Sequence, residues 1–324
     1  MQQRIIVLAV LVVATLSASV YLYQRDMPED LAPEKVLLGE LVASANLLNQ
    51  VAIESADGVV FEAVKDGDNW VATHLDASLT FPVSEQAMKD LVSALSQARV
   101  VEEKTANPDL YSKLGVEGLD SANAQASLVR LSSPNKQWRL LIGNIASSGI
   151  GHFVRQPNQA RSFLIDQTIE LPLTRVDWLD NTINVVDMEN IVTITWSQNR
   201  TNELTIRRNE QDDTQWVLEE MTASELPTYP EVFAAQVEKI QKLQFNDVKV
   251  SLPEDVVGQP SYGITLTDSQ GFQYEYKLFG GQDDNGYQLY ISSDDKELWT
   301  SYWLFDIDSF ESSVFKLSRQ DLVQ

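Results

Sequence analysis

The chain has no cysteine and only two histidines among its 324 residues. The first absence excludes disulfides, thiolate metal centres, thiol nucleophiles and a cysteine for lipid attachment. Folded parts must therefore be stabilised by cores of their own rather than by covalent staples. His74 and His152 have no second ligand type at metal spacing such as H-x-x-x-H, so both are expected to be ordinary surface or edge residues. Positive charge is scarce as well. Lys and Arg number 24 against 47 Asp and Glu, for a formal net charge of -23 and a pI near 4.3. That excess repels nucleic acid phosphates and anionic headgroups. The expectation is no nucleic acid partner, and membrane contact through the N-terminal helix only.

Catalytic signatures are missing too. There is no G-x-S-x-G elbow. Gly149-Ile150-Gly151 and Gly280-Gly281 lack the strand-to-helix setting and GK[ST] continuation of a phosphate loop. Asp212-Asp213, Asp283-Asp284-Asn285-Gly286 and Asp294-Asp295 do not keep the D-x-D-x-D-G order of a calcium loop. They fall where turns favour Asp, Asn and Gly on backbone grounds. The reading is no catalytic residue, no metal and no cofactor: not an enzyme.

Long hydrophobic runs are limited to one. Ile5 to Tyr23 is interrupted only by Thr15, Ser17 and Ser19. As a helix rising about 1.5 Å per residue it spans roughly 28 Å, close to a bilayer's hydrocarbon core. Arg4 and the amine before it, against Arg25 after it, favour a cytoplasmic N-terminus. Ser17-Ala18-Ser19 resembles a cleavage site, but the apolar character continues to Tyr23, so an uncleaved anchor is expected. The expected address is the inner membrane, single-pass, with the bulk of the chain in the periplasm.

After this segment the chain says nearly the same thing twice. Asp68-Asn69-Trp70-Val71, then Thr80-Phe81-Pro82 and an amphipathic helix, is echoed by Gln215-Trp216-Val217-Leu218, then Thr228-Tyr229-Pro230 and another. Arg139-Leu140-Leu141-Ile142-Gly143 is echoed by Tyr276-Lys277-Leu278-Phe279-Gly280. The length suits two domains. The expected division is an anchor (1–25), a linker and lead-in helix (26–50), and two α+β repeats (51–182 and 183–324), each an antiparallel sheet with a packed helix. In repeat one a hairpin turns at Asp57-Gly58, Trp70–Ala72 is a third strand, and Pro82 opens a helix over Val83–Val100. Four strands follow at 126–131, 137–142, 152–155 and 162–165, and Leu171–Leu179 closes the repeat as a helix. Repeat two runs in the same order, with Leu298–Thr300 as its last strand and Trp303–Phe310 closing it. The crevice between the repeats is the expected place for a ligand or partner.

The aromatic run Trp299, Tyr302, Trp303, Phe305 and Phe310 has two readings. It packs in the core, or it offers a partner-docking face, since aromatics make efficient interface anchors.

The apolar start, the hairpin ending in Trp70, the aromatic-Pro pair, Leu114-Gly115-Val116, Leu141-Ile142-Gly143, His152-Phe153-Val154-Arg155 and Phe163-Leu164-Ile165 together resemble the domain of unknown function 4340 family. The family's Gly-Leu-x-x-Pro connector appears here as Gly118-Leu119-Asp120-Ser121-Ala122, without the proline. The resemblance implies a non-catalytic extracytoplasmic accessory subunit of an ABC-type transport system. Its partners would be a membrane permease, an ATPase and a gliding-motility-type auxiliary protein. Two other functions stay open: an independent periplasmic binding module for peptide, glycan or lipid, and a hydrolase built on a carboxylate pair that only folding brings together.

Overall fold

A computed structural model describes residues 35–324, apart from 173, 184, 200, 252–255, 257, 281–285 and 295–296, and apart from the side chains of 202 and 203. The expected anchor Ile5–Tyr23 and the linker Met27–Pro33 lie outside the described residues. Among the described residues no helix is long and apolar enough to cross a membrane.

The first hairpin joins β1 (Gln50–Ser55) to β2 (Gly58–Asp66), with Gly58 at φ 121, a conformation that L side chains resist. Strands β3 (Asn69–Ala72) and β4 (Phe81–Pro82) extend the sheet on one side. Helix α1 (Glu85–Gln97) follows. Its cap is Ser84, whose hydroxyl accepts from the Ala87 N–H at 3.3 Å. Met88, Leu91 and Leu95 recur at helical spacing and are buried. The helix carries the chain to the far edge of the sheet. There β5 (Val100–Glu103) pairs with the last strand of a meander, β6 (Ser127–Ser133), β7 (Lys136–Ile145), β8 (His152–Arg155) and β9 (Ser162–Ile165). The order is β4-β3-β2-β1-β6-β7-β8-β9-β5.

The second sheet is laid down by the same steps. Strands β10 (Ile191–Gln198), β11 (Thr201–Arg208) and β12 (Trp216–Leu218) precede helix α2 (Val232–Gln241). Edge strand β13 (Asp247–Val250) and a meander of β14 (Tyr262–Asp268), β15 (Gln273–Gly280), β16 (Tyr287–Ser292) and β17 (Trp303–Ile307) complete it. The order β12-β11-β10-β14-β15-β16-β17-β13 matches the first sheet strand for strand once β4 is set aside. The first hairpin of each sheet also breaks register at a like position, between Ile53 and Glu54 and between Trp196 and Ser197. The described body is thus mostly β: two antiparallel sheets with a few helices.

One continuous hydrophobic core runs through both sheets. Isolated bridges Val83↔Leu179 and Thr182↔Gln244 tie the connecting segment to each side. The C-terminal residues close the second half. Leu226 and Gln324 exchange backbone hydrogen bonds at 3.1 and 2.9 Å, and Arg319 pairs with Glu225 at 2.8 Å.

Several local expectations need correction. Pro82 lies in β4 rather than in a helix's first turn, because Ser84 supplies the cap two residues later. The lead-in helix shrinks to Leu41–Ser44 and a 3-10 turn Ala45–Leu47, since Val36 is taken up in a bridge with Arg99. Among the described residues of Leu171–Leu179 the only helical element is the 3-10 turn Val176–Trp178. Around the aromatic run the roles are exchanged. Trp299–Tyr302 is a 3-10 turn, and Trp303–Ile307 is a strand in which Trp303, Phe305 and Ile307 alternate inward.

Candidate functional site

At Phe81 the junction between the repeats is packed with rings where a crevice was expected. Phe81, from the edge of the first sheet, is fully buried among rings of the second half: Trp303 at 5.1 Å, Trp299 at 5.2 Å and Phe245 at 5.6 Å between centroids, all edge-to-face, with Phe305 at 6.3 Å. Edge-to-face contacts place a positive ring edge on a negative face. The aromatic run is therefore divided. Trp303 and Phe305 face inward with no surface to offer a partner, and Trp299 is half-buried beside them. Tyr302 sits at the rim, donating its hydroxyl proton to Glu297, a bond that pushes its pKa up. Only Phe310 of the five is fully exposed, at 79%.

Against the expectation of surface or edge positions, His152 is buried on the interior strand β8 and His74 is half-buried. His74 Nδ1 lies 3.3 Å from the Glu62 carbonyl and its ring meets Phe61 edge-on; burial holds its pKa below the ordinary value. His152 Nδ1 lies 2.8 Å from the Gly143 carbonyl. Asp212 is engaged in its own turn, accepting from Thr214 and Gln215, and those hydrogen bonds lower its pKa. Residues 283–285 and 295, which carry other acidic clusters, lie outside the described residues. Among the described residues no group of three or more His, Asp or Glu is placed to hold a metal ion.

Part of the set that carried the resemblance, the Leu114–Val116 and Gly118-Leu119 connector with Leu141, Gly143 and Arg155, meets on the outer face of the first sheet. The Arg155 side chain is buried. Its Nε donates to the Val116 carbonyl at 2.9 Å, its Nη1 to the Gln159 carbonyl at 3.1 Å, and its guanidinium lies over the Tyr111 ring at 4.3 Å. Tyr111 donates to the Ala160 carbonyl at 2.6 Å. Gly143 approaches the connector so closely that a Cβ there would lie 2.3 Å from the Leu114 carbonyl oxygen. Leu119 covers Ala126, Leu128 and Leu141, a small second core on the side opposite the main one. These residues clamp the 104–126 connector over the outer face of β6, β7 and β8. Their pattern is structural.

Among the described residues no such clamp covers the second sheet. Its corresponding connector spans only 251–261, and the outer face of β14, β15 and β16 borders a cleft of about 730 Å³. The lining is polar and follows the two-residue period of the strands. Thr195, Thr265, Glu275 and Ser292 form one cross-strand row, and Ser197, Gly263, Lys277 and Tyr290 the next. Lys277 pairs with Glu275 at 2.5 Å and lies 3.5 Å from the Ser292 hydroxyl. A Cβ at Gly263 would come within 2.8 Å of Ser197 Oγ, so glycine keeps the floor low. Such hydroxyls and an ion pair can hydrogen-bond a polar ligand. Sequence reasoning missed this face. Its signals were the alternating Thr193, Thr195, Thr265 and Thr267 and the shorter second connector. A second cleft, of about 530 Å³, lies between Leu37–Glu40, Lys136–Arg139 and Gln156–Asn158.

A family model described as Domain of unknown function (DUF4340) matches residues 70–265, from β3 of the first sheet into β14 of the second. No curated protein and no solved structure matches the chain.

Proposed function

This chain belongs to the DUF4340 family, and on that premise we propose that it is a membrane-tethered, non-catalytic accessory subunit of an ABC-type transport system, with its body in the periplasm. The observation that carries the reading is the apolar run Ile5–Tyr23, joined by a short linker to a body whose first described residues are built into the fold. The Val100 N–H donates to the Lys35 carbonyl at 2.9 Å, the Leu37 N–H to the Ala98 carbonyl at 2.8 Å, and Leu38 is in the core. A tether entering there moves the body as one piece. The matching strand orders support duplication of one α+β module, and the aromatic junction around Phe81 supports a fixed spacing between the two copies. The permease, the ATPase and the auxiliary protein are partners suggested by the family resemblance.

Proteolysis of intact and osmotically opened cells, followed by alkaline carbonate extraction, tests the tether. The expected outcome is a body cut only from the periplasmic side and retained in the membrane pellet. Release into the carbonate supernatant at full length counts against it.

The polar cleft over β14, β15 and β16 favours a second reading, an independent binding module for a peptide, glycan or lipid headgroup. On that reading Lys277→Ala changes ligand affinity and leaves any complex with a permease intact.

A further inference from the structure

Residues 140–154 contain no Asp, Glu, Lys or Arg, in a chain that is 22% charged with a formal net charge of -23. They form the end of β7, all but the last residue of β8, and the tip between these strands. At the tip the side chains of Ile145 and Ile150 are 50% and 68% exposed, with Ser147, Ser148 and Gly149 exposed between them. The tip is well braced. The Ala146 N–H donates to the Gly151 carbonyl at 2.9 Å, the Gly149 N–H to the Ala146 carbonyl at 2.8 Å, and the Gly151 N–H to Thr168 Oγ1 at 3.2 Å. Gly151, at φ 82, packs so tightly that a Cβ would lie 2.0 Å from the Ile165 carbonyl oxygen. A single exposed isoleucine needs no explanation. Two on one braced, charge-free turn of an acidic protein form a distinct surface.

Its place in the sheet sets its distance from the start of the described body. Pairing aligns Ile145 with His152, and Val100 with Ile165, while the Val100 N–H donates to the Lys35 carbonyl. Extending the β8–β9 register by one residue sets His152 beside Ile165, so one row runs from the tip to Lys35. Four strand spacings of about 4.8 Å make that roughly 19 Å. Lys35 is where the described body begins. Residues 24–34 separate it from the apolar run, and eleven residues reach at most about 36–40 Å. A bilayer holding that run is therefore within reach of the tip.

We propose that the β7–β8 tip rests in the headgroup–acyl boundary of the bilayer that holds the N-terminal segment, and so orients the first sheet against the membrane. This rests on the tether reading. The tip alone is too small to hold the protein, but a weak apolar contact becomes effective when a second signal already keeps the chain at the surface. Its lack of charge suits it to the task, since the acidic body is repelled by anionic headgroups. The second sheet packs at β4, the opposite edge of the first.

The absence of native cysteine makes the test direct. A fluorophore is placed on Ser148→Cys, or on Gln211→Cys in the β11–β12 turn as the control, in the full-length chain reconstituted into phosphatidylcholine vesicles with brominated acyl chains. Flotation reads the tether separately. The expected result is a floating chain in which the label at 148 is quenched several-fold more than that at 211, with the excess lost in Ile145→Glu/Ile150→Glu. A floating chain with equal quenching at both positions overturns the tip contact and leaves the tether standing. A chain that does not float overturns the tether and the tip contact with it.

Discussion

Replacing Phe81 by Ala removes the ring that the first sheet inserts into the second half. Phe81 is fully buried and meets Trp303, Trp299, Phe245 and Phe305 within 6.3 Å. Burying the ring and then leaving its cavity sets a cost of about 3–5 kcal/mol. The upper half is expected, because three of the ring contacts are edge-to-face and such pairs add about 0.5–1.5 kcal/mol beyond area. An unfolding entropy of about 2.1 cal/mol/K per residue over roughly 290 residues gives about 0.6 kcal/mol/K, hence a melting point lower by roughly 7–8 °C. The shape of the transition is the sharper readout. If this ring couples the sheets, urea unfolding followed by tryptophan fluorescence and by far-ultraviolet dichroism should separate into two steps in F81A. Leu95→Ala is the control. That side chain is buried on α1 within the first half and costs a comparable 2–5 kcal/mol, but with the junction intact the transition should stay single and shift as a whole. A loss below about 1 kcal/mol in F81A with a single unchanged transition would refute the reasoning.

Gly143→Ala drives a methyl group into the Leu114 and Gly115 carbonyl oxygens at 2.3 and 2.6 Å. Overpacking against backbone costs about 1–3 kcal/mol, so the urea midpoint should fall and the 104–126 connector should become protease-sensitive. Arg319 and the Thr222 N–H hold the Glu225 carboxyl at about 2, down from 4.5. A depressed carboxylate contributes stability that is fully present above pH 4.5 and is lost as pH falls toward 2. Glu225→Gln should therefore lower the melting point most above pH 4.5, with the difference from the parent closing toward pH 2. His74 runs in the same sense by a different cause. Burial lowers its pKa below 6.5, so the folded state binds fewer protons than the unfolded one and stability declines as pH falls below 6.5. His74→Phe should flatten the melting-point profile as pH falls below 6.5, and the His74 imidazole resonances should titrate below the ordinary histidine value.

Much of the fold was legible because local chemistry and global packing agree in it. Asp57-Gly58 is a strong hairpin signal, and Met88, Leu91 and Leu95 recur at helical spacing. The edge strands β5 and β13 escaped for a physical reason. Val100-Val101-Glu102-Glu103 and Asp247-Val248-Lys249-Val250 are short and carry charge, as edges do to discourage further pairing, so neither stretch reads as a half-buried strand. Trp303-Leu304-Phe305-Asp306-Ile307 is a short apolar run of the kind that periodicity does not assign to strand or helix. The junction was invisible because Phe81 and Trp303 are far apart in the chain, and no local pattern links them. The polar cleft depends on a comparison of two connectors, 104–126 and 251–261, whose meaning emerges only once both sheets have the same strand order. The motif residues stand out in the sequence as a set, while the clamping of the connector by some of them, through Arg155 and Gly143, emerges only in the fold.

The accessory-subunit reading stands or falls on what accompanies the full-length chain out of its native membrane. Solubilisation in mild detergent, affinity capture and quantitative mass spectrometry measure this directly. The account predicts a permease and its ATPase at near-stoichiometric levels, retained in Lys277→Ala. Recovery of the chain alone, under conditions that keep other membrane complexes intact, would contradict it and shift the weight to an independent binding module acting through the second sheet's cleft.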